Sequence, residues 1–460
     1  MTSDFRQDPG DAFCQLWDHH QRSWTIGKIE EWTASPRFKE MEDELANAII
    51  TQGSIPDAAI REIGEDAYHA FLLAAAINRA LYAIHPRYRR RDISTRLDWL
   101  RDRYHQSGRL NSDEVEGALL FRLVQTDRVG PGRADWIADW FTNLRRLSDE
   151  QWEDLDLVSL LIDRDFVRDV RERNRKLRVG CLALVEDLDA FDITVRDTFN
   201  LATEQKALRY RIGLKAGAIT KDLIMKAVHA LDAALVDIAL LPESTLDDRV
   251  CQLWIDVVRT HRPDPGNPLR WIVAGTGHMA DGLRRRNTAV VIHRQSGIEL
   301  ARQDKTARYT IPQGTATKWG MDTLTGADEY WEDIEPGTTV VGLESEAGRI
   351  AVVICESLSR PVPETDRLHR LGVTHILVPV LDRELGDDRW EVHYSRERVR
   401  DIGCSIVIAN SLAIARRRQA RLIEGAPPPG SIVCSMSRTS TSSYQLKTAE
   451  GCLDVQIHEV

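Results

Sequence analysis

The chain has 460 residues, 42% of them apolar and 29% charged, enough for two or three domains with sizeable cores. That balance excludes a chain disordered throughout, a collagen-like fibre and a disulfide-dense miniprotein. The 71 acidic against 61 basic side chains give a net charge of −10, which argues against polyanion binding over the surface as a whole.

The opening MTSDFRQDPGD lacks an apolar h-region and does not read as a secretory signal. The most apolar stretch, Ala70 to Ile77, gives way to Asn78 and Arg79 and is too short to cross a bilayer. Seven cysteines without CxxC spacing fit a reducing, cytoplasmic setting. From about residue 10 to 176 the pattern is helical. AYHAFLLAAAINRALYAI and SDEQWEDLDLVSLLIDRDFVRDVRERNRK carry apolar residues at three- and four-residue spacing. Ser148 and Gln151 have capping-box spacing at the start of the second run. Trp17, Trp24, Trp32, Trp99, Trp136, Trp140 and Trp152 all lie in this part. Interleaved with arginines they could stack on bases, but packing between helices is the simpler expectation. The boundary falls at 176/177, with a helical accessory domain over 1–176 and a second domain over 177–460.

After Lys176 short apolar runs alternate with helical segments. RVGCLALVED is followed by an expected long helix to about Ala234, then VDIALLPE, the helix DRVCQLWIDVVRT and LRWIVAGTG. TAVVIHRQSGIELARQDK reads as an antiparallel hairpin turning at Gln-Ser-Gly. RIAVVICE, a helix through HRLG, THILVPV, the helix RERVRDIGC, SIVIAN and SIVCSMS complete the series, with PPPG at 427–430 as a loop. Buried strands separated by amphipathic helices define an α/β fold with a mixed sheet.

In layered α/β folds functional side chains gather where strands run out into loops. Three such ends carry unusual chemistry: Glu243 closes VDIALLPE, Lys305 closes the hairpin, and Cys355 closes RIAVVIC. A thiol, a carboxylate and an amine make a workable set for acyl transfer. The carboxylate takes the thiol proton, and the ammonium steadies an oxyanion. Each residue taken alone is more simply an inert core thiol or a solvated charge, and spacing does not bring the three together.

The region from about 178 to 460 resembles the carbon–nitrogen hydrolase, or nitrilase, superfamily. Six pieces carry the resemblance in chain order: RVGCLALVED, IALLPE, RRNTAVVIHRQSGIELARQDK, GRIAVVICESLSRPVPETDRLHRLGVTHILVPV, WEVHYSRERVRDIGCSIVIAN and PPGSIV. The resemblance implies an αββα sandwich, preceded here by the all-α N-terminal domain. It implies that Cys355 is the nucleophile, Glu243 the general base and acid, and Lys305 the oxyanion partner together with the backbone N–H of Glu356. No metal or organic cofactor is implied, and a homodimer or larger assembly is. Family members commonly carry a second glutamate after the lysine, whereas TARYTIPQGTATKWGMD has no acidic residue before Asp322. Glu329 and Glu332, further along, are the candidates to fill that role. The residues after the nucleophile, Glu356 and Ser357, also differ from many members.

Arg308, Tyr309 and His278 lie on loops that could border a pocket. The basic runs RYRRRD, from 88, and ARRRQAR, from 415, have acidic neighbours and read as solvated faces, so nucleic acid is not the expected partner. His229 and His375 have no metal-site spacing, and the six other cysteines read as structural thiols. The leading reading is therefore a cytoplasmic hydrolase of a small linear amide or carbamoyl compound, with a nitrile as the less favoured variant. The alternative is a regulatory or binding protein whose nitrilase-like domain has lost turnover and whose helical domain docks a partner protein.

Overall fold

A computed structural model describes residues 7–63, 66–86, 95–123, 137–159, 176–264, 266–281, 284–321, 323–345, 348–360, 364–386, 388–421, 433–436 and 445–460, apart from 201–204. The chain divides into two compact units, Met1–Leu161 with Glu344–Gly348, and Ile162–Leu343 with Arg349–Val460.

Helices dominate the first unit. Pro9–His20, Pro36–Gln52 and Ala67–Ala80 surround a cluster of rings in which Trp24 lies 5.5 Å from Phe71 and 6.1 Å from Trp17 between ring centroids. Phe13 meets Phe141 edge-on at 5.0 Å, an arrangement that aromatic quadrupoles favour. The tryptophans Trp17, Trp24 and Trp32 are thus packing residues, while Trp99 is 40% exposed beneath the Arg103 guanidinium; Trp136 lies outside the described residues. The helix Ala67–Ala80 continues through a 3₁₀ turn, Leu81–Ile84. Together they form an 18-residue apolar stretch, longer than Ala70 to Ile77 suggested and long enough by length and composition to span a membrane, with 61% of it buried inside the protein. It is placed here as a core element.

Two expectations for this unit need correction. The capping box forms as expected, with Ser148 Oγ accepting from Gln151 N–H and the Gln151 side chain accepting in return. The helix it opens ends after one turn, at Trp152, and the chain becomes a strand over Leu155–Ser159. Leu155 and Leu157 are buried and Asp156 between them is exposed, a period-two signal hidden inside a run read as helical. The unit also holds an antiparallel pair, Ala118–Phe121 with Leu144–Leu147, so it is not built of helices alone.

In the second unit one sheet has the strand order Glu299–Asp304, Arg284–His293, Trp271–Asp281, Ile238–Leu240, Arg178–Cys181, Gln456–Glu459. Its central three strands are parallel and its outer ones antiparallel. The other large sheet runs, in this unit, Gln445–Lys447, Val433–Met436, Ser405–Asn410, His375–Val380, Gly348–Val352, Val340–Ser345. HILVPV and SIVIAN are buried at every position, as strands covered on both faces require. Helices Lys221–Ala233 and Asp248–Thr260 cover the first sheet, their N-termini capped by Thr220 and Asp247. Helix Trp390–Ile402 lies on the second, and the sheets meet where Glu243 N–H donates to Val380 O at 3.3 Å. The layering is αββα, as the resemblance to carbon–nitrogen hydrolases implies.

The hairpin Arg284–His293 with Glu299–Asp304 forms as expected. The long helix expected before Ala234 does not. After a short 3₁₀ turn, Leu188–Ala190, Phe191–Asn200 and Gln205–Leu214 make a second hairpin, and among the described residues the α-helix is confined to Lys221–Ala233. FDITV and RYRIGL carry β-branched and aromatic residues two apart, which favours a pleated surface over a helix. This hairpin joins Glu329–Glu332 and Thr310–Pro312 in a small third sheet, which supplies one wall of the cleft described next. The loop expected at 427–430 and the run from 88 lie outside the described residues.

Candidate active site

Glu243 is fixed by the strand that precedes it and by a close backbone approach that follows. The strand Trp271–Asp281 shifts register between Val273 and Thr276, and the irregularity presses its backbone against the loop after Glu243. Leu246 N–H donates to Thr276 O at 2.9 Å, and Thr276 N–H donates to Pro242 O at 3.3 Å. A Cβ on Gly277 would lie 1.6 Å from Leu246 O, so the second glycine of GTGH serves this contact.

The Glu243 carboxylate accepts from Lys305 Nζ at 2.8 Å, Asn287 Nδ2 at 2.9 Å and Leu381 N–H at 3.2 Å. Lys305, only 2% exposed, also donates to Glu332 Oε2 at 2.7 Å. Asn287 Nδ2 reaches Glu332 Oε1 at 3.2 Å, and Tyr309 N–H donates to Glu332 Oε2 at 3.0 Å. Burial by itself would lower the lysine's pKa. The two flanking carboxylates outweigh it and hold the ammonium well above its usual range. One ammonium between two carboxylates leaves the cluster one negative charge in excess.

Cys355 begins a 3₁₀ turn, Cys355–Ser359, with φ +46°. That left-handed conformation is strained for a residue with a Cβ, by roughly 1–2 kcal/mol. Burial drives the thiol's pKa well above its ordinary value, the charge of Glu243 adds to this, and Lys305 opposes it. The resting sulfur is therefore a protonated thiol, which needs a base at the moment of attack.

Glu243, Lys305, Cys355 and Glu332 line one cleft with Tyr210, Ile212, Ser244, His278, Tyr309, Ile311, Trp319 and Leu381. It holds about 360 Å³ of space free of atoms, open solvent included. Of the two candidates for a second carboxylate, Glu332 is in place and Glu329 is exposed. The alternation in EYWE separates them, because Tyr330 and Glu332 share the buried face while Glu329 and Trp331 share the other.

The remaining candidates divide. His278 lines the cleft, and burial, with the charge of Arg211 adding to it, lowers its pKa to about 4. Ser357 accepts from Thr306 N–H at 3.1 Å, which ties the turn of Cys355 to the loop of Lys305 but leaves the hydroxyl out of the cleft lining. Glu356 turns away to Arg360 at 2.9 Å, so its side chain serves an ion pair and only its backbone remains next to the sulfur. Arg308 donates Nε to Ile334 O at 2.7 Å, a structural bond outside the cleft lining. Tyr309, expected on a loop that could border a pocket, lines the cleft, stacked on Trp319 at 6.2 Å; Trp319, and Asn287 inside the quoted RRNTAV, have no role assigned from the sequence. Tyr210 belongs to the hairpin read as a helix, so its place on the wall was out of reach.

Among the described residues no group of three or more His, Cys, Asp or Glu is arranged to hold a metal ion. Three of the four arginines of ARRRQAR pair with acids: Arg416 with Glu186, Arg417 with Asp189 at 2.5 Å and Arg418 with Glu384 at 2.6 Å. That leaves these three a neutralised face rather than a phosphate site.

No family model matches the chain, and no curated protein does. Solved structures do. Saccharomyces cerevisiae Nit3, a member of branch 10 of the nitrilase superfamily, is 12% identical with a TM-score of 0.38 over 62% of this chain and 89% of its own. An amidase of the nitrilase superfamily from Nesterenkonia AN1 is 12% identical with a TM-score of 0.34 over 62% and 89%. A carbon–nitrogen hydrolase from Helicobacter pylori G27 is 11% identical with a TM-score of 0.36 over 62% and 88%. All three belong to the group that the sequence resembles. Likeness at this level assigns no residue roles, which come from the chain's own geometry.

Proposed function

We propose that this protein hydrolyses the carbon–nitrogen bond of a small amide or carbamoyl compound through a thioester on Cys355. The observation that carries the reading is the clamp of Lys305 between Glu243 and Glu332 in the cleft that Cys355 also lines. The Cys355 sulfur attacks the carbonyl carbon while Glu243 takes the thiol proton. Lys305 Nζ and the Glu356 N–H receive the negative charge that forms on the carbonyl oxygen. Collapse of the tetrahedral species breaks the C–N bond, and Glu243 returns its proton to the departing nitrogen. Glu243 then deprotonates a water that attacks the thioester, releasing the acid and the free thiol. Glu332 is a positioning residue that holds Lys305.

The contrary reading, a nitrilase-like domain without turnover, drew its support from a missing second carboxylate. Glu332 at 2.7 Å from Lys305 removes that support. The test is ammonia release over a panel of amides, carbamoyl compounds and nitriles. Release by the wild type that is lost in Cys355→Ala supports the reading; release that survives unchanged in Cys355→Ala overturns it. We further propose that the chain works in the cytoplasm as a homodimer or larger, and a monomer mass by light scattering contradicts that assembly.

A further inference from the structure

The cleft's lining has a distinct charge balance. Among the described residues that line it, the one cation is Lys305, already bound by Glu243 and Glu332, so the polar floor carries an excess negative charge. The walls are Tyr210, Ile212, Tyr309, Ile311, Trp319 and Leu381. Burial holds both phenols above their usual range, so neither adds charge. An anionic group entering here leaves water for a negative field with no free cation among the described lining residues to meet it, a juxtaposition that costs several-fold to many-fold in binding.

One polar group in the lining is unspent. His278 Nδ1 is buried with no hydrogen-bond partner among the described residues. Its strand pairs His278 with Asn287, the residue that bridges Glu243 and Glu332, which sets the ring beside the reacting groups. A buried polar atom left without a partner is expensive unless a ligand supplies one. The ring is neutral at ordinary pH, its pKa lowered to about 4 by burial and by Arg211. It therefore offers a hydrogen bond and no charge. Arg211 is outside the lining, on the same strand as Tyr210 and Ile212, which alternate with it and face the cleft.

We infer that the site selects amides with an uncharged, largely apolar acyl group, that it rejects those bearing a carboxylate, and that His278 is a specificity residue that hydrogen-bonds a single neutral polar atom of the substrate. This inference rests on the proposed hydrolase reading and narrows its substrate class.

Two alkylating reagents of nearly equal size separate the outcomes. Iodoacetamide and iodoacetate both react when the Cys355 sulfur displaces iodide: the S–C bond forms, the C–I bond breaks, and the thiol proton passes to Glu243. Labelling of the Cys355 peptide in the full-length wild type is followed by mass spectrometry, each rate being divided by that reagent's rate with a free thiol. The expected result is a corrected preference for iodoacetamide of more than about tenfold, reduced or inverted in His278→Arg. Butyramide against succinamate, of similar length, supplies the same comparison in turnover, with butyramide favoured. Equal labelling, or preference for iodoacetate, with Cys355 still reactive overturns the selectivity and leaves the hydrolase reading standing. Failure of both reagents to label Cys355 contradicts the nucleophile itself, and the inference falls with it.

Discussion

The centres of the two units are built on opposite principles. In the first, Phe13, Trp17, Trp24, Phe71 and Phe141 bring ring against ring. Burial there draws on apolar area, about 25 cal/mol per Å². In the second, Glu243, Lys305, Asn287 and Glu332 sit together at 2–5% exposure. Burying charges is unfavourable unless each is paired, and even paired it adds little net stability. Under the proposed function, that cluster has chemical work to do. The aromatic centre calls for no explanation beyond packing.

Several substitutions test that contrast. The largest expected effect on rate is from Cys355→Ala, which removes the nucleophile, with Glu243→Gln next at roughly 10²–10⁴-fold; both are read as kcat/KM for ammonia release, with the fold checked by circular dichroism. Lys305→Ala is expected to lower kcat by about 10²–10³-fold. It also strands two buried carboxylates, which destabilises the protein by about 3–5 kcal/mol in urea unfolding. Phe71→Ala should lower stability by a similar ~3–5 kcal/mol and leave the rate of Cys355 alkylation in the folded protein unchanged. If the ring cluster proves to govern that rate, the contrast between the two centres fails.

A smaller effect concerns acid. His278 and His458 are held neutral, their pKa values lowered by burial to about 4 and about 3. Each has a folded pKa below its unfolded value, so its contribution is complete above about pH 6.5 and is lost as pH falls toward the folded value, because the unfolded chain binds the proton first. Unfolding free energy should therefore fall between about pH 6.5 and 4, and His458→Gln should flatten the slope. An unchanged slope in that variant contradicts its neutral burial. The smallest effect on rate is expected from Glu332→Gln, which keeps a hydrogen bond to Lys305 and removes only the charge. It should lower kcat less than Lys305→Ala does.

Legibility in the sequence followed the physics of each element. HILVPV and SIVIAN were readable because strands buried on both faces must be continuously apolar. The Glu243, Lys305 and Cys355 positions stand out because each puts a charge or a thiol where a strand runs out into a loop. Their meeting in one cleft depends on contacts of high sequence separation, 62 residues for Lys305 and Glu243, and no local pattern encodes these. The choice of Glu332 over Glu329 was available from the alternation in EYWE. The hairpin Phe191–Leu214 was missed for a plainer reason: its apolar residues fit a helical spacing well enough to hide the period of two. The same confusion gave the helix after Trp152 where LDLVS forms a strand.

The most direct test of the central claim is peptide mapping of the acid-quenched wild-type enzyme during turnover of a neutral amide. The account predicts the mass of the acyl group on the peptide that contains Cys355, its amount depending on Glu243. An acyl group found on any other residue, or full turnover with no adduct in wild type and undiminished rate in Cys355→Ala, contradicts it.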